Sequence, residues 1–407
     1  MLTTRRTCLA VLSAGLASLT PILAAHPAPP DDPTGPPKIV LDRLAKGINL
    51  SHWFWIPHGG PSRFAHPSTF TADDAKTLRA WGLTHARLPI DPGFFFDPAD
   101  PTRLKPDAAS RLDDALALLH DAGLLVVLDF HALGTPTADR YEAHLRPTHP
   151  DAQQRLDEYL AQWRALATHT AARDPSRLVF EPMNEPVFEG APGRWDEIQP
   201  KVIAQIRAAA PRHTILATGS GWGGIDGLTR LQPLDDPNLV YSFHFYEPMT
   251  FTHQGAAWGA PNWKNLANIP YPASPENIGP ALESMTHQRG RDEARWYADQ
   301  RWNAAKITDH IAKARAWSNA HARPVYCGEF GAYTNAPRHD RLVWITDVRT
   351  ALEANAIGWA MWDYSGGFRL VESELAPRAI DRAVAGALGL TPPVTPPVAP
   401  PPPVPPR

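Results

Sequence analysis

Eight short apolar runs recur along the chain, at residues 46–51, 84–90, 124–132, 178–186, 214–222, 239–248, 324–333 and 357–367. Most open with near-continuous apolar residues instead of alternating, as in "LLVVLDF" and "LVYSFHF". That is the pattern of strands buried on both faces in a parallel sheet. Longer segments with helical spacing separate them, at 71–82, 106–123, 152–173, 195–210, 291–320 and 339–355. Thr71 is a fair N-cap for the first of these, and Gly82 and Gly123 are fair stops for the first two. Eight strands alternating with helices over about 350 residues predict an α/β fold, a (β/α)8 TIM barrel forming a single catalytic domain. The competing doubly wound sheet needs a glycine-rich phosphate loop after its first strand. None occurs, and "GSGWGG" at 219–224 carries Trp222 where a backbone cradle would lie. The longest connection, from 247 to about 290, is rich in Trp, Asn, Pro and Gly, which predicts a functional loop.

In such a barrel the site sits at the carboxyl ends of the strands. The ends of successive runs carry Asn49, His52 and Trp53; Arg87; His131; Asn184 and Glu185; Trp222; His244 and Tyr246; Glu329; and Trp362 with Asp363. Two of these residues, Glu185 and Glu329, are glutamates. Paired carboxylates among hydrogen-bonding and aromatic side chains are the equipment of glycoside hydrolysis, in which one acid protonates the leaving oxygen and the other attacks or activates water. Sugars present apolar C–H faces to aromatic rings, so Trp53, Trp222 and Trp258 are candidate platforms, with Trp55 and Trp263 behind them. Glu181 reads as a buried, hydrogen-bonded structural residue, and Asp129 and Asp363 as supports for His or Arg side chains. Cys327 precedes Glu329 by two residues, which by strand alternation places it on the same inner face, one layer deeper.

"LVFEPMNEP" followed far downstream by "VYCGEFGAY" resembles glycoside hydrolase family 5, the cellulase family of retaining enzymes. The family's ordered set of Arg, His, Asn, Glu, His, Tyr, Glu and Trp is matched here by Arg87, His131, Asn184, Glu185, His244, Tyr246, Glu329 and Trp362. The resemblance spans roughly 39–370. It implies Glu185 as general acid/base and Glu329 as nucleophile, with Arg87 and Tyr246 beside the nucleophile to keep it ionised. It further implies Asn184 on the sugar 2-hydroxyl, His131 and His244 in the polar wall, and Trp362 under the cleaved sugar. Retention requires the two carboxyls to lie about 5–5.5 Å apart. The expected activity is hydrolysis of β-linked glucan, foremost as an endo-β-1,4-glucanase, with β-mannan, xylan, β-1,3-glucan or exo action as alternatives. A non-hydrolytic sugar-binding barrel, or a tethered structural protein, is less consistent with the full set of eight residues.

Composition sharpens the edges more than the centre. The 407 residues include 45 prolines, six of them at 26–37 and ten at 391–407, so the excess frames a body running from 39 to 390. Residues 26–38 form a Pro-rich lead and 391–407 a Pro-rich tail. Residues 1–25 read as an export signal, with Arg5 and Arg6 before an apolar stretch and Ala24 and Ala25 closing it. The arginine pair also fits a twin-arginine signal. A soluble periplasmic or secreted monomer acting on a polysaccharide or oligosaccharide is expected, with no membrane span after processing. A net charge of −3 without a basic block argues against nucleic acid. No HExxH or paired-cysteine spacing occurs among the seventeen histidines and two cysteines, so neither metal nor cofactor is expected. His144 and His149 read as surface or rim residues.

Overall fold

A computed structural model describes residues 35–393, except 98, 132–144, 146, 189, 192 and 375–377. The export segment, most of the Pro-rich lead, His144 and all but the start of the Pro-rich tail lie outside the described residues. Eight parallel strands close a barrel: β1 (Lys46–Asn49), β2 (His85–Ile90), β3 (Leu125–Phe130), β4 (Leu178–Glu181), β5 (Thr214–Thr218), β6 (Leu239–Phe245), β7 (Val325–Phe330) and β8 (Gly358–Met361). Each pairs with its neighbours in chain order, and β1 closes against β8. The predicted (β/α)8 barrel is the fold of this chain. Among the described residues no helix is long and apolar enough to cross a membrane.

Strand alternation separates two apolar layers. Ile48, Ala86, Leu88, Val126, Leu128, Phe180, Ile215 and Phe243 face outward and bury the helices. Leu125, Val127, Val179, Leu216, Val240, Tyr326 and Ala360 fill the barrel, and Val40 and Leu44 from a short N-terminal helical segment close its lower end. At this lower end the His85 ring packs against Gly47, where a Cβ would stand 2.1 Å from it, so β1 needs glycine there. Burial holds His85 neutral, its pKa down to about 3. Its Nδ1–H donates to the Arg43 carbonyl (3.1 Å), leaving Nε2 to accept from the Tyr326 hydroxyl (2.7 Å).

The helices follow their sequence signals closely. Thr71 and Asp74 form a reciprocal capping box ahead of Ala72–Ala80. Pro106 opens Pro106–Asp121, and Gly123 follows it with a left-handed φ of 84°. Ala152–Thr170, Arg194–Ala209 and Arg338–Ala354 lie within a few residues of expectation. The helix expected at 291–320 is instead two, Gln288–Asp299 and Ala304–His321. Arg301 takes φ 51° between them, and the Asn303 side chain caps the second by accepting from Lys306 N. The connection after β6 also holds short helical turns at Met249–Thr252, Trp263–Asn265 and Gly279–Ser284.

A second correction concerns β7. Phe243 pairs with Cys327 but His244 pairs with Glu329, so two residues, Gly328 and Glu329, oppose one on β6, and the register against β8 slips at the same place. This is a β-bulge, and it breaks the alternation on which the placement of Cys327 rested. Cys327 belongs to the helix-facing layer while Glu329 turns into the mouth. A Cβ at Gly328 would lie 2.9 Å from Ser242 Oγ, which explains the glycine.

Tyr326→Phe should lower the unfolding free energy by about 1–3 kcal/mol, because a buried His85 nitrogen loses its only donor. Urea unfolding at neutral pH measures it. An unchanged midpoint would show that the bond contributes nothing net.

Candidate active site

Arg87, on β2, is fully buried and is the hub of the mouth. Its Nε donates to Glu181 Oε2 (2.6 Å), Nη1 to Asn49 Oδ1 (2.9 Å) and Glu329 Oε1 (2.6 Å), and Nη2 to Asn184 Oδ1 (2.7 Å). Nη2 also lies 3.0 Å from Asp129 Oδ2. Asn49 is fixed in turn by donating to the Gly328 and Met361 carbonyls. Glu181 is therefore the buried support the sequence predicts, and Asp129, its neighbour on β3, supports Arg87 and His131 as expected.

Above this base stand the two glutamates. Tyr246 donates its hydroxyl to Glu329 Oε2 (2.7 Å). His244 Nδ1 lies 2.8 Å from Glu185 Oε1 and 3.6 Å from Glu329 Oε2. One oxygen from each glutamate and a His244 ring nitrogen all fall within 4.8 Å of one another. The two carboxyls thus lie close together about the His244 ring. This trio is also the set that could hold a metal ion by proximity. Its facing atoms are already engaged with Arg87, Tyr246 and each other, which suits proton transfer.

The charge balance is unusual. One guanidinium faces the carboxyls of Asp129, Glu181 and Glu329. Burial pushes Asp129 up to about 7 despite Arg87, and raises Glu181 as well. Burial, with Glu185 adding to it, pushes Glu329 up to about 7 against His244, Arg87 and the Tyr246 hydroxyl. Burial also lowers His244 to about 4 and His131 well below its ordinary value, so both rings are neutral. His131 Nδ1–H accordingly donates to Asp129 Oδ2 (2.7 Å).

The walls are aromatic. Trp362 stacks near His131 with ring centroids 5.6 Å apart and meets Trp55 edge-on at 5.6 Å. Trp55 lies 4.0 Å from the His131 ring. Trp53, expected as a platform, is not one: residues Ser51–Phe54 make a helical turn after β1 that rolls it inward onto Phe54 and Phe70, leaving it 4% exposed. Trp55, ranked behind it, takes the place at the mouth. Asp363 accepts from the Ser51 hydroxyl and the Gly366 amide and so anchors the loop after β8.

Trp222 is 47% exposed, on a turn whose Gly221 and Trp222 amides bond the Pro186 carbonyl beside Glu185. Its φ of 62° is left-handed, a strained choice for a tryptophan that aims the ring outward. Trp258 is 49% exposed and stands with His253, Trp263, Tyr333 and Phe368 on the other flank. Phe368 and His253 join this group to Tyr246.

The family model described as Cellulase (glycosyl hydrolase family 5) matches residues 49–367. Endoglucanase 3 of Fibrobacter succinogenes is 26% identical over 359 residues, covering 84% of this chain and 52% of its own. The chain thus spans about half of that relative. Endoglucanase C of Acetivibrio thermocellus is 28% identical over 319 residues, 78% of this chain and 90% of the relative. Among solved structures, Cel5A of Thermotoga maritima in complex with cellobiose superposes with a TM-score of 0.70 at 23% identity, over 88% of this chain and 100% of that one.

Replacing Arg87 by Met should destabilise the fold by at least about 3 kcal/mol, since three carboxyls lose their shared cation. These acids titrate above their unfolded values, so their contribution is lost as pH rises from about 4 through about 7. The variant's deficit should be larger at about pH 8 than at about pH 5 in chemical unfolding. A deficit independent of pH would contradict the charge argument.

Proposed function

The chain belongs to the cellulase family, glycosyl hydrolase family 5, and on that premise we propose that this glycoside hydrolase cleaves β-1,4-linked glucan internally, with net retention. The observation that carries the mechanism is the close approach of Glu185 and Glu329 on either side of His244. Glu329 is the nucleophile: Arg87 and Tyr246 hold both its oxygens, fixing the carboxylate for attack on the anomeric carbon. Glu185 is the acid/base, less buried than Glu329 and bonded to the neutral His244 ring. It protonates the leaving oxygen, then takes a proton from the water that hydrolyses the glycosyl-enzyme.

The remaining groups serve the same step. Asn184 is held by Arg87 through Oδ1, which leaves its amide N–H groups for the sugar 2-hydroxyl. His131, kept in one tautomer by Asp129, presents Nε2 to a sugar hydroxyl. Trp362 and Trp55 supply the apolar wall. The glucan and endo assignments draw on the endoglucanase names of the relatives and on exposed aromatic rings on both flanks of the acid pair. We also propose export, on the strength of the N-terminal "TTRRTCLAVL" and the apolar stretch after it.

Glu329→Gln should abolish turnover of carboxymethylcellulose with the fold intact. Glu185→Gln should retain part of the first step on aryl cellobiosides, whose leaving groups need little protonation. Proton NMR of the first product should show the β-anomer. An α-anomer would overturn the double displacement, and comparable loss of both steps on every substrate would remove Glu185 from the acid role.

The reacting form needs Glu329 ionised, so kcat/KM should rise with pH through an apparent pKa near 7. Tyr246→Phe removes a hydrogen bond to the anion and should move this limb to higher pH. A limb below about pH 5, the ordinary carboxylate range, would show that burial does not govern the nucleophile.

A further inference from the structure

A buried cation with no carboxylate beside it is costly unless something supplies the opposite charge. Arg341, in the first turn of the helix Arg338–Ala354, is such a group: it is 3% exposed and makes no ion pair among the described residues. Its Nε donates to the Ala332 carbonyl (2.8 Å) in the connection after β7, and its Nη2 to the Phe368 (2.7 Å) and Arg369 (3.1 Å) carbonyls in the loop after β8. Nη1 donates to nothing among the described residues. Burial pulls the guanidinium down to about 10, with Arg338 and Arg369 lowering it further against Asp381, so it stays charged at neutral pH.

Arg341 lines a cavity of about 380 Å³ between the loops after β7 and β8, and Arg338 and Arg369 line the same space. Arg338 stands three residues before Arg341 on one helical face, where the helix adds the positive end of its dipole. The acids nearby do not reach Arg341. Asp381 is committed elsewhere: it takes both Nη groups of Arg338 (2.8 and 2.9 Å) and caps the helix Arg382–Ala387 by accepting from the Ala383 and Val384 amides. Asp340 accepts from the Tyr271 amide (3.1 Å), and Glu374 meets Arg369 Nη1 at 3.3 Å. Glu372 lines the cavity but is exposed and in no ion pair among the described residues. The charges lining the cavity are thus three arginines against Asp381 and Glu372, and the most buried cation is the one left without a partner.

We propose that this cavity binds a small oxyanion, phosphate or a carboxylate, with Arg341 Nη1 as its buried donor and Arg338 and Arg369 as its flanking cations. Guanidinium groups favour an oxyanion over chloride, because their paired N–H groups meet two oxygens at once. The volume holds either anion with water beside it. The bound anion supplies the counter-charge that Arg341 lacks. It also completes the tie that Arg341 makes between the loops after β7 and β8 through the carbonyls of Ala332, Phe368 and Arg369. None of the lining residues belongs to the hydrolytic site, so the anion site stands or falls apart from the glucanase reading.

Isothermal titration calorimetry of the full chain with inorganic phosphate, and separately with malonate, tests the site at an ionic strength held constant with sodium chloride. At least one of the two should bind at a single site and raise the melting temperature in a saturable way. Phosphate binding alone assigns the site to phosphate, and malonate binding alone assigns it to carboxylates. Arg369→Gln should weaken the binding about tenfold, the scale of one charge-assisted bond, whereas Glu372→Gln, which removes a competing carboxylate, should tighten it severalfold. Both side chains reach water, so both variants should fold. Arg341→Gln should abolish binding, and if that chain does not fold, the opposite shifts of the other two variants decide. No heat and no melting shift with either anion, or a binding constant unchanged in both Arg369→Gln and Glu372→Gln, would overturn the site.

Discussion

The architecture of the mouth depends on one guanidinium. Arg87 bonds oxygens from five separate positions, Asn49, Asp129, Glu181, Asn184 and Glu329, with every nitrogen engaged and none in contact with bulk water. Its planar fork sets the angles among β1, β3, β4 and β7 in a way that a lysine ammonium on a flexible stem could not. The same arrangement leaves the site short of positive charge. Three carboxyls share one cation in a buried space, so they titrate high together, and a proton is easily lodged among them. Glu329 is consequently held rigidly while its charge stays close to balance.

Position alone would not have brought Glu329 to Arg87. Had β7 kept strict alternation, Glu329 would follow Cys327 into the helix layer, two residues apart on one face. The bulge at Gly328 spends one residue of ladder regularity to reverse that outcome, and Asn49 secures it by donating to the Gly328 carbonyl. Structure and charge are linked at this point. The bulge aims the carboxylate, and Arg87 below it compensates the cost of burying it.

The sequence was legible where the barrel's own geometry does the positioning. In a parallel barrel every strand ends at the same mouth, so polar residues closing apolar runs must converge, and Arg87, His131, Asn184, Glu185, His244, Tyr246, Glu329 and Trp362 do so. Period-two alternation likewise marked Glu181 as inward. Reading failed where local backbone departs from the regular element. A helical turn after β1 exchanged Trp53 for Trp55, a bulge displaced Cys327, and a left-handed Arg301 divided a helix whose apolar spacing looked continuous. Each of these turns on φ, ψ or register at a single residue that no hydrophobic period encodes.

The same distinction separates the chemistry of cleavage from the recognition of the polymer. Groups at strand ends are fixed by the ladder and by Arg87, so the acid pair tolerates little variation in placement. The connection after β6 is fixed differently, by side chains bonding backbone, as when Gln254 spans to both the amide and the carbonyl of Ile269, and Glu293 ties its last helix to Thr250. Such anchors hold a loop in place without dictating its length or the residues it exposes. A barrel built this way can keep one hydrolytic centre while its connections set how much of the chain is gripped. Exposed rings such as Trp222 and Trp258 stand on the connections after β5 and β6, whereas Arg87, His131, His244 and Glu329 at the strand ends are buried.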